Sequence, residues 1–209
     1  MAKIGRPLAM SIEKRRKEIF LIAEKLFGDQ GYEHVTMSDI ATLAGMSKKT
    51  LYVYFKDKKQ LLKELVASSY IWAEDSFEEE HADAIQQVKS RLKVSAKHVL
   101  SERHIKLCRL VIAESGNMTE LSKSFYDMGV EASRNHLIAA IVKIDKTNLG
   151  LNLQAEVLAD MLFGAAIAQP FIDTLIINQP INFAKIMTTI DNTVDALFIQ
   201  SDTMTEVVV

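Results

Sequence analysis

The sequence predicts an all-α fold. Only 8 Gly and 3 Pro occur in 209 residues, too little turn punctuation for a chain of many short strands. Apolar residues recur at helical spacing, and no strand-like alternation appears over the first 75 residues. Residues that favour helix N-caps stand repeatedly just before those apolar stretches.

Composition narrows the class further. Hydrophobic residues make up 48% and charged ones 25% of the chain, the balance of a protein that buries a real core. A single cysteine, Cys108, excludes an internal disulfide framework and fits a reducing cytoplasm. The first twenty residues hold no apolar signal-peptide core. No run of 18 or more uninterrupted apolar residues occurs, so no membrane-spanning helix is expected. The formal charge of −2 divides unevenly, with +5 over residues 1–60 and −7 over residues 61–209. A basic head on an acidic body points to a head that meets a polyanion.

The elements follow in order. Residues 3–7, "KIGRP", read as a flexible arm, with Lys3 and Arg6 as candidate minor-groove contacts. Ser11 caps a first helix whose apolar face is Ile12, Ile19, Phe20, Ala23, Leu26 and Phe27, and Gly31 stops it. Thr36 with Asp39 resembles a capping box for a short helix over about 37–44, and Gly45 stands where a helix C′ residue needs positive φ. Ser47 caps the next helix. Asp57 with Gln60 makes a further capping box ahead of "KKQLLKELVASSYIWAEDSF". Helices are then expected over about 82–101, 103–114, 119–145, 153–177 and 182–200. Pro170 should interrupt the fourth of these, and the tail "SDTMTEVVV" carries no helical period.

Two short helices joined through Gly45-Met46-Ser47 are the pattern of a helix-turn-helix. The second helix of that motif enters the major groove N-terminal end first. Residues 47–55 suit the task. Leu51 and Phe55 point inward, Tyr52 is partly buried, and Lys48, Lys49, Thr50 and Tyr54 face out. Lysines in a first turn oppose the helix dipole, a cost that an arriving anion removes.

The stretch "TMSDIATLAGMSKKTLYVYFKDKKQLL", residues 36–62, resembles the DNA-binding signature of the tetracycline-repressor (TetR) family. "AEKLFGDQGYEHV", residues 23–35, is similar to that family's first helix and its Gly-aromatic exit. "RLVIAESGNMTELSKSFYDMG", residues 109–129, resembles the AefR-like C-terminal type. The resemblance implies about nine helices, divided as a DNA-binding head over residues 1–57 and a ligand-binding, dimerising body over residues 58–209. It implies a homodimer on an inverted-repeat operator in double-stranded DNA, released when a small molecule binds the body. Carried over residue by residue, phosphate contacts fall on Thr36, Ser38, Ser47, Tyr52 or Tyr54, and Lys58. Base-edge contacts fall on Lys48, Lys49 and Thr50. Lys49 departs from the family pattern, where Gly, Ala or Pro is frequent, so it reads as a base contact or an added phosphate contact.

In the body, Tyr70, Trp72, Cys108, Phe125, Met128, His136, Met161 and Phe163 are the candidate ligand-lining residues, for an apolar or amphipathic effector. Helices 153–177 and 182–200 are the candidate dimer interface, the latter through Ile186, Ile190, Val194 and Leu197. His104 with Cys108 and His98 with Glu102 have helical metal-ligand spacing, but three ligands would have to converge from two helices, so no metal is expected. The absence of a Gly-rich phosphate loop, an HExxH or a nucleophile elbow argues against an enzyme, and no cofactor is expected. The alternative is a helical small-molecule-binding or scaffold protein whose head meets protein instead of DNA.

Overall fold

The computed structural model describes residues 11–74, 83–145 and 153–198, with the side chains of 71–74 outside the description. The N-terminal arm and the C-terminal tail fall outside the described residues. All regular structure among the described residues is helical. The elements are α1 (Ile12–Gln30), α2 (Met37–Leu43), α3 (Lys48–Tyr54), α4 (Lys58–Glu74), α5 (Ala84–Val99), α6 (Glu102–Glu114), α7 (Thr119–Phe125), α8 (Ala132–Ile141), α9 (Ala155–Phe163), α10 (Gln169–Ile177) and α11 (Phe183–Leu197). A π turn at Tyr126–Glu131 joins α7 to α8, and another at Gly164–Ala168 joins α9 to α10. Nine continuous helical rods therefore lie among the described residues, as the resemblance implies.

The chain forms two compact units, residues 1–66 and 67–209. The division falls inside α4 and not at the expected 57/58, because Leu61, Leu62, Leu65 and Val66 on its first turns are buried. Ile19, Phe20, Ala23, Leu26 and Phe27 of α1 are buried in the first unit, along with Ile40, Ala41, Leu51 and Phe55. Phe20 meets Phe55 at 5.4 Å and Phe27 meets Tyr32 at 5.2 Å between ring centroids.

The caps anticipated in the sequence are present. Ser11 accepts from the Lys14 amide, and Thr36 and Asp39 close a complete capping box. Asp57 accepts from the Gln60 amide at 2.7 Å, but Gln60 Oε1 reaches back one residue further than a capping box, to the Lys56 amide at 2.6 Å. Gly31 and Gly45 take φ of +82° and +62°, which a Cβ would strain.

A large buried cluster in the second unit is drawn from α5, α8, α9, the second π turn and α11. Ile186, Ile190, Val194 and Leu197 of α11 are buried in it, so that face makes intrachain core. Lys89–Asp195 and Lys93–Asp191 ion pairs tie α5 to α11. Arg109 of α6 donates to the Thr174 and Leu175 carbonyls and to Asn178 Oδ1, covering the C-terminal end of α10. Pro170 stands just after the second π turn. Its ring lacks an N–H and crowds the carbonyl four residues earlier, so a widened turn at that point takes the place of a sharp break.

Candidate nucleic-acid interface and effector cluster

The turn between α2 and α3 is closed by backbone hydrogen bonds. The Met46 amide reaches the Ala41 carbonyl at 3.0 Å and the Gly45 amide reaches Thr42 at 3.1 Å, a Schellman arrangement. Ser47 then caps α3 by accepting from the Thr50 amide at 3.1 Å, and its hydroxyl lies 2.8 Å from that of Thr50. The Thr36 hydroxyl donates to Asp39 Oδ2 at 2.7 Å. Thr36, Ser47 and Thr50 therefore build helix ends as well as standing at the surface. Two hydrogen bonds from Thr36, side chain first, hold the Asp39 carboxyl below its usual range.

Lys48, Lys49, Thr50 and Ser38 are exposed. No acidic residue accompanies the two lysines in the first turn of α3, so nothing in that turn offsets their opposition to the helix dipole. The two tyrosines exchange the places expected of them. Tyr52 is exposed, while Tyr54 is half-buried. Position 54 lies about 60° round the helix from the buried Leu51 and position 52 about 100°. Lys58 is also engaged within the chain: its ammonium donates to the Tyr32 carbonyl at 2.7 Å and lies 4.1 Å from the Tyr32 ring centroid. It fastens the exit of α1 to the start of α4.

A residue the sequence reading passed over holds these pieces together. The Arg16 guanidinium donates to the Tyr54 carbonyl at 3.1 Å, pairs with Glu64, and lies 4.5 Å over the Phe55 ring.

In the second unit, side chains from four helices converge. Tyr70 of α4 meets His98 of α5 at 5.6 Å, His104 of α6 at 5.9 Å and Phe125 of α7 at 5.5 Å between centroids. His98 and His104 are 4.8 Å apart, and His104 stacks on Phe125 at 5.5 Å and 24°. Tyr70 Oη, His98 Nε2 and His104 Nδ1 are buried without a hydrogen-bond partner among the described residues. Burial lowers the pKa of His104 from 6.5 to about 4, with His98 adding to the effect. Burial, then Arg103, lowers that of His98. Burial and the Cys108 thiol raise that of Tyr70, and burial pushes Cys108 up to about 12.

Of the expected lining residues, Tyr70, Cys108 and Phe125 come together here. Met128, His136 and Met161 do not join them, being exposed on outer helix faces. Phe163 packs against the α5–α11 core, and the Trp72 side chain lies outside the described residues. His98 and His104 were visible in the sequence only as spacing; their meeting with Tyr70 was not. Among the described residues no group of three or more His, Cys, Asp and Glu side chains assembles as a metal site requires.

Gly129 in the first π turn lies against Tyr70. A Cβ there would stand 2.6–2.7 Å from Tyr70 Cε1, Oη and Cζ. Gly129→Ala is expected to displace the Tyr70 ring and cost about 1–3 kcal/mol, read as a lowered thermal midpoint with altered near-ultraviolet dichroism.

A helix-turn-helix with exposed cations on its second helix, in a chain whose described residues are otherwise helical, is an arrangement suited to meeting DNA. Residues 19–65 match the family described as bacterial regulatory proteins, tetR family, and residues 86–197 match the AefR-like transcriptional repressor C-terminal domain. The chain belongs to the tetR family, with an AefR-like body.

Among curated proteins it is 36% identical over 58 residues to the HTH-type transcriptional repressor KstR2 of Mycolicibacterium smegmatis, an alignment covering 28% of each chain. The chain thus spans about a quarter of the length of the curated relatives it matches. Its fold is similar to a TetR-family regulator from Mesorhizobium loti (TM-score 0.73, 24% identity, 90% of this chain and 96% of that one). It is also similar to a regulator from Saccharomonospora viridis solved with choline (TM-score 0.71, 19% identity, 90% and 99%).

Proposed function

We propose that the protein is a dimeric repressor that leaves an inverted-repeat operator when a small molecule occupies its body. The observation that carries this reading is the first turn of α3, where Lys48 and Lys49 are exposed with no acidic residue beside them. Such a helix end gains stability when a phosphate or an acceptor-rich base edge approaches. Lys48 and Thr50 read base edges, while Lys49, Ser38 and Tyr52 meet phosphates. Thr36, Ser47, Tyr54 and Lys58 hold the reading helix and its neighbours in place, with Lys58 adding positive potential.

Dimerisation through the α9–α10 rod is supported by its outer face. Val157, Met161, Ile172, Ile176 and Ile177 are exposed, Ile176 at 70%. The rod Ala155–Ile177 is long and apolar enough by composition to cross a bilayer, although no uninterrupted apolar run announces it. Glu156, Asp160, Gln169 and Asp173 interrupt it, and a second copy of the rod covers such a face better than lipid does. Beside it, a groove of about 370 Å³ runs between this rod and α11, lined by Ala166, Pro170, Asp173, Ile181 and Lys185 among others. A protein of this kind works in the cytoplasm, where the chromosome is, and performs no catalysis.

Release is a population shift. An effector favours a dimer whose reading helices no longer match successive major grooves, about 34–36 Å apart. The fold neighbour that holds choline supports a body able to take a small molecule.

The test is selection of bound fragments from genomic DNA, followed by gel shift across salt concentrations. Sequence-specific binding that weakens steeply with salt is expected. Lys49→Ala should weaken operator and random DNA alike and reduce the salt slope by about one. Binding that is neither sequence-specific nor salt-sensitive would favour a head that meets protein.

A further inference from the structure

We propose that the Tyr70–His98–His104–Phe125 cluster recognises an uncharged, ring-bearing effector through one hydroxyl or carbonyl group. The inference rests on the reading of the body as the effector-binding part.

The first support is the set of orphaned atoms. Tyr70 is 8% and His104 6% exposed, yet Tyr70 Oη, His104 Nδ1 and His98 Nε2 lack partners among the described residues. Leaving a buried polar atom unpaired is unfavourable, and here three such atoms belong to rings within 4.8–5.9 Å of one another. A phenol both donates and accepts, and a neutral imidazole carries one donor and one acceptor nitrogen. Together they can serve a group that donates, accepts or does both, which a hydroxyl or a carbonyl is.

The second support is the surroundings. Phe125 faces both Tyr70 and His104, so the orphaned atoms sit in an aromatic frame that favours another ring beside them. The third concerns charge. Burial disfavours the charged form of both imidazoles, and Arg103 adds to this at His98. A cationic effector would meet a nearby arginine and no carboxylate partner among these rings. An anionic one would give up its hydration to enter a buried aromatic frame, a cost that the Arg103 charge beside His98 offsets only in part.

The test uses the full-length protein with ¹⁵N-labelled histidine and four probes: phenol, benzene, benzoate and choline. Phenol is expected to shift the ring nitrogens of His98 and His104 and to bind about tenfold more tightly than benzene, a difference on the scale of one hydrogen bond. Tyr70→Phe keeps the ring and therefore the packing. It should weaken phenol severalfold and leave benzene unchanged. Equal binding of phenol and benzene, tighter binding of benzoate or choline, or no binding of any probe overturns the proposal. Operator release is measured in the same samples. Phenol that binds as expected while operator occupancy stays unmoved leaves the site standing and overturns the release reading. Release by phenol and benzene alike overturns the chemistry and leaves that reading intact.

Discussion

Replacing Arg16 with Ala should cost the DNA-binding head about 2–3 kcal/mol and lower operator affinity with it. The guanidinium stands between three elements. One nitrogen donates to the Tyr54 carbonyl at 3.1 Å, at the last residue of α3, and the other pairs with Glu64 on α4. Its plane lies 4.5 Å from the Phe55 centroid and 5.8 Å from that of Phe20. The Arg16 and Glu64 side chains keep 29% and 32% exposure, so the ion pair itself contributes little. The larger part comes from the charge-assisted hydrogen bond and the contact with the Phe55 ring, both lost together. Arg16→Lys is the informative control, since it keeps the charge but loses the fork that serves Tyr54 and Glu64 at once. Urea unfolding followed by far-ultraviolet dichroism measures the cost. A loss below about 0.5 kcal/mol, the level of an ordinary surface change, would mean that the guanidinium does not organise the head.

Arg16 also marks where sequence reading stops. The helix ends of the head were legible because a cap is a local event. Ser11, Thr36 with Asp39, Ser47, Gly31 and Gly45 each act within six residues, and each is found in its expected role. Arg16 reaches Tyr54 across 38 residues and Lys58 reaches Tyr32 across 26, and no spacing rule connects such pairs. Helical period gave Leu51 and Phe55 their inward direction but set Tyr52 and Tyr54 in each other's places, because a seven-residue helix has too few apolar positions to fix its phase. In the body, periodicity shows that a helix has an apolar face without saying which faces meet. His98 and His104 could be paired with Glu102 and Cys108 on paper, whereas in the fold they meet Tyr70 and Phe125. The π turns that join α7 to α8 and α9 to α10 left no trace beyond Gly129, Gly164 and Pro170. The face assigned to dimerisation on α11 proved to be core, since apolar spacing reads the same against a neighbour helix as against a second copy.

Acidification from pH 6.5 to about 4 should remove about 3 kcal/mol of stability through His104 alone. The folded protein holds His104 near 4, against 6.5 for a free imidazole. As the pH falls through 6.5, the unfolded chain takes up a proton that the folded chain refuses. The stabilisation is therefore complete above about 6.5, declines across the interval, and levels off below about 4. His98 moves in the same direction for the same reason, burial first and the Arg103 charge second. Each imidazole also raises the cost of charging the other, since their centroids are 4.8 Å apart. Three exposed carboxylates do not mimic this window. Asp39, Glu102 and Asp160 have lowered values, so their stabilisation is lost only as the pH falls below their ordinary 3.8–4.5. Unfolding in urea at pH 7.5, 6.5, 5.5 and 4.5 measures the slope. His104→Phe, which keeps a ring beside Phe125, should flatten most of it and leave the part due to His98. Parallel curves for the wild-type protein and the variant would show that His104 is charged as readily in the fold as in water, and that the imidazoles are not buried against the Tyr70 ring.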